Sequence, residues 1–141
     1  MNPVAEVAEG LIAPRLICRG EGGVALCGAR CSSCGRLSFP AATICDVCHS
    51  KELAAHTFGR TGTLYSYAVV HVAPRVWKVP YILGYIDLPE GIRVLAHVAA
   101  QPSELQIGMS LVVAVDEVGR DDAGQVIRTY VFRPLSKEAE R

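Results

Sequence analysis

The sequence predicts a mainly β chain: a small metal-binding ribbon built on four cysteines, followed by a five-stranded barrel of the OB type. Three observations predict it. Two Cys-x-x-Cys units, Cys31 with Cys34 and Cys45 with Cys48, stand ten residues apart. From about residue 57 to 133 the chain is rich in Val, Ile, Thr and Tyr, with Gly and Pro at regular breaks and no good helix between them. The composition is globular, with 141 residues, 50% hydrophobic and 20% charged. A chain of this size buries roughly 68% of its unfolded surface, enough for one modest core.

Four zones follow in order. Residues 1–23 mix short apolar steps with charges and end in Gly20-Glu21-Gly22-Gly23. Within them, Val4 to Glu9 suits one helical turn, too short to be stable alone. Residues 24–56 hold most of the cysteines and form the ribbon. Residues 57–134 form the barrel. Residues 135–141 are a charged tail that frays. The first barrel strand is expected over 57–72, bent near Gly59 and Gly62. The second and third run over 81–88 and 92–99, joined by a tight turn at Pro89-Glu90-Gly91. A short helical turn at 101–105 precedes the fourth strand, 110–118. The turn Gly119 to Gly124 leads to the fifth, 125–133. A long bent first strand and a helical insertion after the third match an OB Greek key, with a six-stranded SH3-like barrel as the competing topology. Tyr65 and Tyr67, two residues apart, are expected on one face of the first strand.

The cysteine spacing carries the strongest chemistry. Two residues between thiols let both sulfurs of a tight turn face one ion. Two such knuckles supply a tetrahedral site, with zinc favoured over iron. Gly35 follows the first pair and lets the chain curl back, whereas His49 stands at the equivalent place after the second. A redox dithiol explains one Cys-x-x-Cys, not two at this spacing. A four-cysteine site is closed, so it stabilises a fold and does not activate water. Cys18 and Cys27 lie outside the pattern and read as small, partly buried thiols. Leu37 and Phe39, between the knuckles, are apolar and need a surface to pack on.

Charge narrows the partners. Lys plus Arg equals Asp plus Glu at 14 each, net +0. That balance argues against a nucleic-acid binder living on phosphate contacts, and against a polybasic membrane anchor. No apolar run approaches a transmembrane span, and the first residues lack a signal peptide's pattern, which points to the cytoplasm and to reduced thiols. The sequence contains no nucleophile elbow, phosphate loop or His-Glu protease motif. His49, His56, His71 and His97 read as ordinary structural or surface histidines. The segment 73–80 holds the only Trp, Trp77, beside Arg75 and Lys78. An apolar, aromatic and basic loop suits a protein interface or an anionic ligand.

One order of motifs is familiar as a whole. It runs Cys31-x-x-Cys34-Gly35, Leu37-x-Phe39-Pro40, Cys45-x-x-Cys48 and Gly59-x-x-Gly62-x-Leu64-Tyr65-Ser66-Tyr67. Then come Pro80-Tyr81, Leu88-x-Glu90-Gly91 and Ile107-Gly108-Met109. Over about residues 24–134 this resembles the acyl-CoA-associated family that joins a rubredoxin-like zinc ribbon to an OB-fold, domain of unknown function 35. His49 departs from the family's commoner Gly, and residues 1–23 show no clear amphipathic helix. The resemblance implies a non-catalytic accessory subunit of a thiolase-superfamily complex, similar to the small subunit of benzoylsuccinyl-CoA thiolase. It implies structural zinc on Cys31, Cys34, Cys45 and Cys48, and a thiolase-like catalytic partner in a hetero-oligomer. A CoA thioester would be the substrate of the complex, at or near the interface, with residues 1–23 as a docking segment. Arg75, Trp77 and Lys78 are the candidate contacts to partner or CoA. No catalytic residue is expected in this chain. The alternative is a zinc-ribbon/OB protein that binds single-stranded nucleic acid.

Overall fold

In the computed structural model, Leu11 and residues 13–135 are described. The turn expected at Val4 to Glu9, residues 1–10 and 12 of the expected docking segment and the tail 136–141 lie outside the described residues. After a 3-10 turn at Pro14–Leu16, β1 (Ile17–Gly20) pairs antiparallel with β2 (Gly23–Cys31), with Gly22 at φ 93° in the turn between them. Two further strands join β2: β3 (Leu37–Ser38) and β4 (Leu53–Thr57). Cys31 ends β2 opposite Leu53, so the first knuckle grows directly out of a sheet. Sequence periodicity does not announce β2. Its Ala25 and Leu26 are both buried, as are Gly28 and Ala29, so the polar alternation of a half-buried strand is missing.

The barrel contains β5 (Thr61–Val70), β6 (Tyr81–Asp87), β7 (Arg93–Val98), β8 (Ser110–Arg120) and β9 (Val126–Pro134). Its order is β5-β6-β7-β9-β8, closed by β8 pairing back to β5. All pairs are antiparallel except β7 with β9, where His97 faces Val131 and Val98 faces Phe132 in parallel register. This is the expected five-stranded OB topology. A 3-10 turn at Pro102–Glu104 follows the third barrel strand, as the sequence suggests.

Three details differ from the sequence reading. Thr57 is the last residue of β4, not the start of the barrel, because it pairs with Cys27 in the ribbon sheet. Gly119 lies inside β8 rather than in a turn. The turn is Asp121 to Gly124, where the Asp121 carboxylate accepts the amides of Ala123 and Gln125. Tyr65 and Tyr67 occupy opposite faces. The register jumps between Leu64 and Ser66, and that bulge resets the alternation. Tyr67 therefore packs on the core while Tyr65 is half exposed.

Ribbon and barrel share one core. Leu64, Ile82, Ile86, Val94, Val98, Leu111, Val113 and Phe132 fill the barrel. Leu26 from β2 and Phe58, just after β4, belong to the same buried cluster, with Leu37 and Phe39 packed against it. Phe58 meets Phe39 and His56 edge-on at ring distances of 6.2 and 4.7 Å. Arg60 adds a polar tie: its Nε donates to the Val24 carbonyl at 2.8 Å and its NH2 group to that of Val113 at 3.3 Å. One guanidinium thus satisfies carbonyls of both sheets.

Hydrogen bonds from a charged donor contribute about 1.5–3 kcal/mol. We expect Arg60→Ala to lower unfolding stability by about 2 kcal/mol. Arg60→Lys should recover little, because an ammonium cannot span both acceptors. Urea denaturation of the metal-loaded chain checks this, and an unchanged midpoint for the Ala variant contradicts it.

Candidate metal centre and the adjoining barrel face

The two knuckles have the same backbone wiring. The amide of Gly35 donates to the Cys31 carbonyl at 2.9 Å, and that of His49 to the Cys45 carbonyl at 3.0 Å. The amide of Cys31 donates to the Arg36 carbonyl, and that of Cys45 to the Ser50 carbonyl. Each tight loop needs a left-handed residue after its second cysteine. Gly35 takes φ 82° and His49 takes φ 63°. His49 therefore does a glycine's job at the cost of a Cβ in the left-handed region. The Ser33 hydroxyl donates to Ser50 at 3.3 Å and ties one knuckle to the other.

This wiring gathers four sulfurs. Cys31 and Cys48 lie 3.5 Å apart, as do Cys34 and Cys45, and all four sulfurs fall within 4.8 Å of one another. A tetrahedron of zinc–sulfur bonds of about 2.3 Å has edges of about 3.8 Å, so the cluster fits such an ion. Cys31 and Cys45 are buried, while Cys34 and Cys48 are exposed. The thiols are unequal. The Cys34 backbone amide, foremost, holds the Cys31 thiol down to about 6. At Cys48 the Ser50 amide pulls downward, but hydrogen bonding with Cys31 and the other thiols outweighs it and pushes the group up to about 12. Such crowding favours replacing shared protons by one cation.

Cys18 and Cys27 stand apart from the cluster. The Cys18 sulfur lies 3.6 Å from the Thr57 hydroxyl, and burial followed by the neighbouring Cys18 raises the Cys27 thiol. Of the histidines, His49 shapes a knuckle and His71 is exposed. His56 faces the Glu90 carboxylate at 3.7 Å.

The loop 73–80 lies across β8. The Lys78 amide donates to the Val118 carbonyl at 3.1 Å and the Arg120 amide to the Val76 carbonyl at 2.9 Å. A Cβ at position 119 would collide with the Val76 carbonyl, which is why Gly119 sits there. Trp77 is half buried on Ala114, Val118 and Val131, whereas Arg75 and Lys78 are exposed. His97 lies 4.8 Å from Tyr81, stacked, and 5.7 Å from Trp77. Tyr81 and His97 line a cleft of about 400 Å³ whose charged lining is Lys78, Asp116 and Glu117. Asp116 pairs with Arg133 and Glu117 with Arg120. Burial holds the His97 imidazole below its ordinary 6.5. The sequence marks His97 as an ordinary structural or surface histidine and gives no signal for Tyr85 and Leu95. Only the register, which turns all three outward, brings them into one surface.

A four-cysteine ribbon fused to a closed OB barrel defines a class of two-module β proteins. Two family models match this chain back to back: the ChsH2 rubredoxin-like zinc ribbon domain over residues 25–54 and the ChsH2 C-terminal OB-fold domain over 55–116. The chain is 34% identical over 115 residues to a DUF35 domain-containing scaffold protein of Methanocaldococcus jannaschii, covering 78% of this chain and 82% of the relative. It is 33% identical over 108 residues to the benzoylsuccinyl-CoA thiolase subunit BbsA of Thauera aromatica, covering 77% and 75%. A solved structure, the Ltp2-ChsH2(DUF35) aldolase, matches at 30% identity with a TM-score of 0.65, covering 79% and 85%. The chain belongs to this ChsH2/DUF35 family of zinc-ribbon/OB-fold proteins.

Relief of a left-handed non-glycine residue is worth roughly 1 kcal/mol. We expect His49→Gly to keep the bound metal and raise stability by about that amount. Loss of metal from this variant would show that the imidazole has another role. For His97, a folded-state pKa below the unfolded one means that neutral imidazole favours the folded chain above about pH 6.5. That contribution is lost as pH falls through the folded value. Fluorescence of the single Trp should therefore titrate with a midpoint below 6.5, and His97→Gln should abolish the transition. A midpoint at or above 6.5 contradicts the burial effect.

Proposed function

We propose that this chain is the accessory, non-catalytic subunit of an acyl-CoA-processing complex, in which a thiolase-like catalytic subunit makes or breaks a C–C bond. The observation that carries this reading is the likeness across both modules, over most of each relative, to chains named as scaffold and as thiolase subunit. The site's chemistry supports it. In our reading Cys31, Cys34, Cys45 and Cys48 hold one zinc. Four thiolates saturate a tetrahedral ion and leave no position for water or substrate. The zinc then fixes the ribbon on the barrel, whose first strand starts at Thr61, and residues 1–23 dock the partner. The complex works in the cytoplasm, with acyl-CoA at or near the interface. Arg75 and Lys78 suit a partner's rim or the phosphates of CoA, and Trp77 anchors their loop. Single-strand binding is less well supported. The balanced charge gives no basic track, and Arg93 beside the outward-facing Tyr65 is already paired with Asp87 at 2.6 Å.

Two measurements test the proposal. Elemental analysis should find one zinc per chain. Cys45→Ser should lose it and loosen the ribbon while the barrel keeps its β circular dichroism. The zinc-loaded chain alone should cleave no acyl-CoA, and mixing it with its catalytic subunit should restore turnover. Robust cleavage by the single chain, shown by mass spectrometry to be free of partner, would overturn the non-catalytic role.

A further inference from the structure

The outward side chains of β5, β6 and β7 form rows across the barrel. Register places Ala68, Leu83 and His97 in one row, Ser66, Tyr85 and Leu95 in the next, and Thr63, Asp87 and Arg93 in the third. Trp77 covers only the His97 end. The middle stays open: Tyr85 and Leu95 oppose each other and are each 46% exposed. The bulge turns Tyr65 out at the margin of this row, at 51% exposure. Contiguous apolar surface of this kind marks an interaction site more often than scattered single residues do.

The face is also stiff. The Arg93 guanidinium lies 3.4 Å from the centre of the Tyr65 ring and pairs with Asp87, which holds that ring in place. The Tyr130 hydroxyl donates to the Leu95 carbonyl at 2.9 Å and pins β7 from β9. Rigid aromatic and aliphatic anchors lose little entropy on docking, and tyrosine is among the residues most often dominant in interfaces. Charge selects the occupant. Arg93 is the one cation in the three rows, and Asp87 neutralises it. A nucleic-acid strand would need free cations along its track. A charge-neutral apolar centre with a polar margin matches a protein partner instead. The rival patch, Ile44 and Val47 on the second knuckle, is exposed but carries no aromatic and is split by Asp46.

We infer that the outward face of β5 to β7, centred on Tyr85 and Leu95 with Tyr65 at its margin, is the surface that docks the catalytic subunit. The inference rests on the reading above that such a subunit exists. The loop carrying Arg75, Trp77 and Lys78 continues this face at its His97 end and forms the rim.

The test uses the zinc-loaded full chain. Its catalytic subunit is first identified by co-purification from the native host, then purified and titrated against immobilised wild-type, Tyr85→Ala, Leu95→Glu and Val47→Ser chains. Both face positions are half exposed in the free chain, so zinc content and thermal melting should stay near wild type. The expected result is binding weakened by about thirtyfold or more for Tyr85→Ala and for Leu95→Glu, with Val47→Ser unchanged. Normal binding by both face variants overturns the inference while leaving the accessory role intact, and selective loss with Val47→Ser moves the interface to the ribbon. A wild-type chain that binds no acyl-CoA enzyme overturns the accessory role and this inference together. Salt-sensitive binding of a fluorescent oligo(dT) that Tyr85→Ala removes would put a single strand on this face instead.

Discussion

The burial of Phe58 where ribbon meets barrel sets the rest of the architecture. Its ring is 2% exposed, and its amide donates to the Leu26 carbonyl at 2.9 Å. Gly28 leaves it room, since a Cβ there would come within 2.7 Å of the ring. Phe39, from the loop between the knuckles, closes against both Phe58 and Tyr130. Full burial of one such side chain contributes about 1.5–3 kcal/mol. More important here is geometry: a small ribbon with little core of its own borrows the barrel's core, and its metal knuckles leave that core in a fixed direction.

From that joint the two modules divide their tasks. The sulfur cluster organises backbone: the paired Gly35 and His49 turns and the Cys31 and Cys45 amide bonds converge on it. The barrel organises surface. Its strands close on one another into a ladder, and the far end of β8 takes up the loop that crosses Gly119. The outward face of β5 to β7 is apolar at its centre, and its cation Arg93 is paired with Asp87, unlike the cationic tracks of barrels that bind nucleic acid.

How much of this was legible beforehand follows physical lines. The gathering of the four cysteines was legible because the spacing within a Cys-x-x-Cys unit is a local property, set by a tight turn. Strands β6, β7 and β9 were read within about a residue at each end, because alternation and Gly/Pro punctuation are local too. What escaped depends on pairing partners. Strand β2, paired with β1, β3 and β4, buries Ala25 with Leu26 and Gly28 with Ala29 in succession and loses its alternation. Tyr65 and Tyr67 part company because a bulge inserts one residue against β6, a choice no dipeptide signals. Thr57 joined the ribbon because Cys27 lay opposite it. Trp77 was legible as unusual, but its seat on Ala114, Val118 and Val131 required knowing that the loop crosses β8.

The central claim is that this chain positions chemistry performed by another subunit. The most direct measurement is a structure of the native complex with bound acyl-CoA. We expect the reacting carbonyl to be surrounded by the catalytic subunit's nucleophile and acid/base groups, with the zinc held by four cysteines remote from it. A reacting carbonyl within hydrogen-bond reach of a cysteine or histidine of this chain, with no such group from the partner, would contradict the claim.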